Sequence, residues 1–209
     1  MIFADCKRLL FLLALSLLVS SQAFSQTAQS YRQRAIDFSR GKSWDQAITN
    51  YHKALELEPN DADTHYNLAL ALKYKGDTRQ SVEEFETTLR LKPKWADAHY
   101  GLGSAWYDLH DSTAALKEIR TAITLDPANG GAHHLLARIY LQQNNPSAAE
   151  SELRKALQYK PSAELHFELG MTEGQLGNLQ DAAEEFRRAL RMNTAWQVRS
   201  GTVACGPSR

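Results

Sequence analysis

Four prolines, Pro59, Pro93, Pro127 and Pro161, follow one another at intervals of 34 residues, and the sequence around them repeats in step. Self-similarity at this period means one supersecondary unit copied and stacked, since a single copy is too short to bury its own apolar face. The period also narrows function. A stack of short helical units presents an extended concave surface rather than a pocket built for chemistry.

Aligned from Ala28, Ala62, Ala96, Gly130 and Ala163, the chain divides into repeats near 28–61, 62–95, 96–129, 130–162 and 163–194, the fourth one residue short. Repeat position 8 is always small (Ala35, Ala69, Gly103, Ala137, Gly170), and so is position 20 (Ala47, Ser81, Ala115, Ala149, Ala182). Small side chains at a fixed point on two helices let their axes approach closely, as a tight antiparallel hairpin requires. Bulky apolar residues lie between them. Position 7 is Leu68, Leu102, Leu136 and Leu169 in repeats two to five; position 24 is Tyr51, Phe85, Ile119, Leu153 and Phe186; position 28 is Leu55, Leu89, Ile123, Leu157 and Leu190. A spacing of four keeps the last two sets on one helical face.

Position 16 holds Ser43, Asp77, Asp111, Asn145 and Asn178, all residue types that cap helix N-termini. A turn is therefore expected there between a helix A and a helix B, assisted by Gly41, Gly76 and Gly177. Helix B should stop at the recurring proline, which cannot continue the hydrogen-bond ladder.

Leu68-Ala69, Leu102-Gly103 and Leu169-Gly170, with Ala47…Tyr51…Ala54…Pro59 and Ala115…Ile119…Ala122…Pro127, resemble the helix-A and helix-B signatures of the tetratricopeptide repeat family. The resemblance covers about residues 28–194. It implies an all-α fold, a right-handed α-solenoid of about five helix-turn-helix hairpins. Arg34 and Glu173 stand in large apolar positions of the first and fifth repeats, and Thr194 replaces the next proline. Terminal repeats are commonly atypical in this way.

Residues 1–25 have a different character. Lys7 and Arg8 precede an apolar run from Leu9 to Val19, and Ala23-Phe24-Ser25 offers a cleavage site before Gln26. That is the layout of a secretory signal peptide, and the run is well short of the roughly 20 residues a spanning helix needs. An uncleaved membrane anchor is the competing reading. Export to the periplasm, cell envelope or medium follows, with any membrane contact made through this segment alone. Cys205 is then the one cysteine left, so no internal disulfide is expected. Residues 195–209 contain Gly201, Gly206 and Pro207 and read as an irregular tail, too poor in apolar groups for a closing helix.

Little in the chain suggests catalysis. Lys+Arg and Asp+Glu balance at 24 each, which gives no field for nucleic acid. His65, His99, His133 and His166 recur at the repeat period, but equivalent atoms in stacked hairpins lie about 8–10 Å apart, too far to share a metal. These histidines are expected to pack where the family commonly has an aromatic. Glu83-Glu84 and Glu184-Glu185 read as solvated helix faces. No catalytic residue, metal or cofactor is expected.

The resemblance implies that the A helices line a concave groove through repeat positions 2, 5, 9, 12 and 13. Carried onto this chain, those positions hold Arg32, Tyr66, Lys73, Tyr74, Tyr100, Ser104, Tyr107, His134 and Arg138, with Asp63, Asp97 and Asp108 on the same face. Tyrosine and arginine dominate binding hot spots, and a peptide segment suits such a groove. Tyr66 and Tyr100 equally fit the family's habit at position 5, whatever is bound. Lys73 and Arg138, having no evident packing duty, are the stronger candidates to pair with carboxylates or carbonyls. A clamp for chaperone C-termini, as some family members possess, is disfavoured: Arg32 and Asn67 fit it, but Ile36 stands where an asparagine is needed.

The expected function is thus an exported, non-enzymatic adaptor for a protein or peptide partner. Two alternatives stand beside it: a homo-oligomeric or tethering module that uses its C-terminal end face, and a regulatory fragment of a longer enzyme.

Overall fold

The computed structural model describes residues 27–199, with side chains through Met192. The expected signal segment and residues 200–209 lie outside the described residues. Among the described residues all regular elements are helices. A first unit, ending at Lys94, holds α1 (27–40), α2 (Trp44–Leu57), α3 (Ala62–Lys75) and α4 (Thr78–Leu91). A second, from Trp95, holds α5 (Ala96–Asp108), α6 (Ser112–Leu125), α7 (Gly130–Gln142), α8 (Pro146–Tyr159), α9 (Ala163–Gln175) and α10 (Leu179–Arg199). Odd-numbered helices are the A helices of the repeats and even-numbered ones the B helices.

One turn joins A to B in every hairpin. Repeat position 15 has a positive φ each time, at Lys42, Gly76, His110, Asn144 and Gly177. The next backbone N–H then donates to the carbonyl five residues back: Ser43 to Phe38, Asp77 to Leu72, Asp111 to Trp106, Asn145 to Tyr140, Asn178 to Glu173, at 2.9–3.0 Å. This is the Schellman closure, in which one left-handed residue satisfies a carbonyl at the helix end. Gly41, expected to shape the first turn, stands one residue before the left-handed position, which Lys42 fills. The capping expectation at position 16 is only partly met. Asp111 and Asn145 accept from Ala114 N and Ala148 N, whereas the side chains of Ser43 and Asp77 make no cap bond. At those two the turn itself suffices.

Small residues close each hairpin as expected. A Cβ added to Gly103 would stand 2.8 Å from Ile119 Cδ1, and one on Gly170 would stand 2.9 Å from Phe186 Cε1. Positions 8 and 20 even bond directly in the second hairpin, where Ser81 Oγ donates to the Ala69 carbonyl at 2.8 Å. Successive hairpins then stack within each unit: Tyr51 shares a core with Leu68 of α3, Ile119 with Leu136 of α7, and Leu153 with Leu169 of α9. The residue before each recurring proline leaves the helical region (Glu58 φ −130°, Lys92 −130°, Asp126 −136°, Lys160 −145°), as the clash with the proline ring demands. Thr194 imposes no such stop. Helix α10 accordingly continues to Arg199, so the tail expected to be irregular from 195 begins as helix.

Candidate functional site

The periodic histidines do more than pack. Each Nδ1 meets a glutamate nineteen residues on, at repeat position 23 of the same hairpin: His65–Glu84 2.6 Å, His99–Glu118 2.7 Å, His133–Glu152 2.6 Å and His166–Glu185 2.5 Å. Glu84 and Glu185, expected to be solvated, are thereby engaged, and Glu185 is buried. The Nε2 atoms of His65 and His133 face the carbonyls of Pro59 and Pro127 at 2.9 and 3.0 Å. A ring with acceptors at both nitrogens donates to both only when both protons are present. The pairs are structural ties between helix A and helix B, one in each of hairpins two to five, and His65 and His133 also tie in the preceding loop.

In the first unit α1 and α3 form the walls of a groove with Tyr51 of α2 between them. One cavity of about 260 Å³ is lined by Ile36, Arg40, Trp44, Leu70 and Tyr74 among others. A second of about 250 Å³ includes Arg32, Gln33, Asp63 and Thr64, and the two share Ile36, Tyr51 and Asn67. Burial raises the Tyr51 phenol above its ordinary pKa, opposed by a hydrogen bond with Ser39 at 3.4 Å. Trp44 and Tyr74 stack at 5.2 Å between centroids, and Tyr74 remains 65% exposed. Asn67 spends its Nδ2 on the Asp63 carbonyl at 2.7 Å, which leaves its amide oxygen as an acceptor.

Arg32 turns out to be committed within the fold. Its guanidinium pairs with Glu58 at 2.8 Å and, closer still, with Asp61. Burial alone would lower the Arg32 pKa, but the two carboxylates outweigh it and raise it. Asp61 shows the converse: burial would raise it, and the bonds from Thr64 and Arg32 hold it below the ordinary value. Of the other candidates here, Tyr66 is half-buried against Phe85 in an edge contact at 5.8 Å, and Lys73 is half-buried on α3.

The second unit carries the remaining candidates on α5 and α7. Tyr107 lies beneath Arg138, whose guanidinium carbon is 4.9 Å from the ring centroid, and its hydroxyl accepts from Gln142 Nε2 at 2.9 Å. Arg138 therefore has a packing role after all, although it stays exposed. His134 Nε2 pairs with Glu168 of α9 at 2.7 Å. Tyr100 packs over the start of α7, close enough that a Cβ on Gly131 would come within 3.0 Å of its hydroxyl. Ser104 is half-buried on α5. Tyr107, Arg138, Gln142, His134 and Glu168 make an amphipathic strip of mixed charge. Trp44, Gln142 and Glu168 were not singled out from sequence. His134 and Glu168 are 34 residues apart, but because the fourth repeat is one residue short the pair joins position 5 to position 6, so repeat periodicity does not reveal it.

Among the described residues no group of three or more His, Cys, Asp or Glu is placed to hold a metal ion. Nor is any described helix long and apolar enough to cross a membrane.

A family model described as "TPR repeat" matches residues 36–76, and one described as "Tetratricopeptide repeat" matches 66–130 and 134–195. No curated protein matches the chain. Similar solved structures include MamA 41-end from Desulfovibrio magneticus RS-1, with TM-score 0.72 and 24% identity over 81% of this chain and 96% of that one. PilF of Pseudomonas aeruginosa gives TM-score 0.72 at 20% identity over 85% and 88%. YrrB, described as a TPR protein with an unusual peptide-binding site, gives 0.63 at 22% over 82% and 93%. At these identities the likenesses speak for the fold.

Proposed function

Because the chain belongs to the tetratricopeptide repeat family, whose members are in general non-enzymatic interaction modules, we propose that it is an exported adaptor that holds a partner protein segment against its A helices. The observation that carries this reading is the groove between α1 and α3. It joins an aromatic wall (Trp44, Tyr74) and aliphatic faces (Ile36, Leu70) to one amide acceptor (Asn67) and one exposed guanidinium (Arg40). Such a site takes an aliphatic or aromatic anchor of an extended peptide, with Asn67 receiving a backbone N–H and Arg40 a carbonyl or carboxylate. In the second unit the Tyr107–Arg138 pair offers a flat, cationic contact of the same kind. Lys73 supplies a further positive charge on α3, while Arg32 serves the fold.

Selection from a random peptide library on the immobilised chain tests the groove. Enriched peptides should carry a large apolar anchor, and Tyr74→Ser with Asn67→Ala should weaken them about tenfold or more while the helical circular dichroism stays unchanged. Peptides bound equally by wild type and variant would remove the groove from consideration. Export is tested by the mass of the N-terminus recovered from the envelope fraction, expected to begin at Gln26. An intact N-terminus confined to the cytosol would contradict it.

A further inference from the structure

Repeat positions 24 and 28 normally receive the next A helix. Tyr51, Ile119 and Leu153 at position 24 are buried, each in one core with the position-7 leucine that follows: Leu68, Leu136 and Leu169. In α10 the same surface stands open. Phe186 is only half-buried, Leu190 is 66% exposed, and Phe167 of α9 is 53% exposed. With Ala163 and Ala189 they line an apolar cavity of about 650 Å³, rimmed by Glu164 of α9 and Arg187 of α10. An apolar centre with a charged rim has the anatomy of a protein interface.

What covers this face is constrained by the rest of the chain. Head-to-tail stacking on α1 of another copy would press Arg34, exposed at position 7, onto Phe186 and Leu190 where the other repeats use leucine. That buries an unpaired guanidinium in an apolar site and is costly. The face is, however, complementary to itself. A twofold axis through the cavity that laid α9 of one copy across α10 of the other would bring Glu164, which lines the cavity with Arg187, opposite the partner's Arg187 on both sides.

We propose that two copies of this chain pair through the α9–α10 face as a closed, twofold dimer, with Phe167, Phe186 and Leu190 at its centre and reciprocal Glu164–Arg187 pairs at its rim. The mode is independent of what the α1–α3 groove binds.

Sedimentation equilibrium and light scattering on the full chain, between about 1 and 100 μM, provide the test, because interfaces of ordinary size reach at least that affinity. A monomer–dimer equilibrium is expected. Leu190→Glu should raise its dissociation constant at least about tenfold with the helical signal intact. Glu164→Arg alone should weaken the dimer by a similar factor, and adding Arg187→Glu should restore it to within about threefold of wild type, as a reciprocal charge pair requires. If Leu190→Glu loses helical signal, the charge-reversal pair decides alone. A strict monomer, a dimer indifferent to these changes, a double reversal that does not recover, or open-ended growth with concentration would each overturn the proposal.

Discussion

Glu173 is a carboxylate in an apolar position, and replacing it should stabilise the protein. Repeat position 11 is Phe38, Leu72, Trp106 and Tyr140 in the other repeats. In the fifth it is Glu173, fully buried, with Oε1 on Arg154 Nη2 at 2.7 Å and Oε2 buried without a hydrogen-bond partner. Burial raises its pKa above the ordinary value of 4.5, opposed by Arg154 and reinforced by Glu185, Asp181 and Glu150. Glu173→Leu removes an unsatisfied buried oxygen, a penalty of about 1–3 kcal/mol. It also gives up an ion pair whose other member is half-exposed and keeps Glu150 at 2.9 Å, a loss of about 0–1 kcal/mol. The net gain with Glu173 ionised is therefore about 0–3 kcal/mol, or up to roughly 12 °C in Tm for a chain of this size.

The pH dependence follows from the direction of that shift. A raised carboxyl binds its proton more tightly in the native state, so between 4.5 and the folded value the native state holds more protons than the unfolded one. Stability attributable to Glu173 falls as pH rises through that window, and the penalty is complete above it. The advantage of Glu173→Leu should accordingly be small below pH 4.5 and grow as pH rises through that window. Urea unfolding followed by circular dichroism at both ends of the window measures this difference. A leucine variant that is less stable at neutral pH, or whose gain is the same at both, would refute the reasoning.

The shared turn makes a second test. Lys42→Gly and His110→Gly relieve a left-handed side-chain penalty of about 1–2 kcal/mol each, less about 0.5–1 for glycine's entropy, and should raise the urea midpoint; Asn144→Gly should change it little, since asparagine tolerates that conformation. Gly103→Ala should cost about 1–3 kcal/mol through its clash with Ile119, whereas Gly174→Ala, with nothing within 4 Å of the new Cβ, should gain about 0.5–1 kcal/mol by helix propensity; thermal melts separate the two signs. A double-mutant cycle of His133→Phe and Glu152→Gln should show coupling of about 0.5–3 kcal/mol, and additivity would mean that their 2.6 Å contact does not stabilise the fold.

The frame was legible in the sequence because it repeats. Prolines, small residues at positions 8 and 20, and leucines at position 7 each recur often enough to outweigh any local accident. The left-handed residue at position 15 was hidden because Lys42 and His110 do not announce a positive φ. The His–Glu ties were hidden for another reason. Their nineteen-residue spacing joins two helices rather than one face, so helical periodicity does not reveal it. At the candidate site, residue types on the A helices were readable but their commitments were not. Arg32 looks available until Glu58 and Asp61 are seen around it, and Arg138 until Tyr107 is found beneath it.

The bond from His65 to the Pro59 carbonyl has a mechanical consequence. Pro59 lies in the connection leaving the first hairpin, and His65 moors it to α3 while its other nitrogen holds Glu84 on α4. Tension along the chain reaches α3 and α4 through this mooring, which loads several hydrogen bonds together. Stretched in an optical trap, the first four helices should then release in one step rather than hairpin by hairpin, and His65→Ala should divide that step in two.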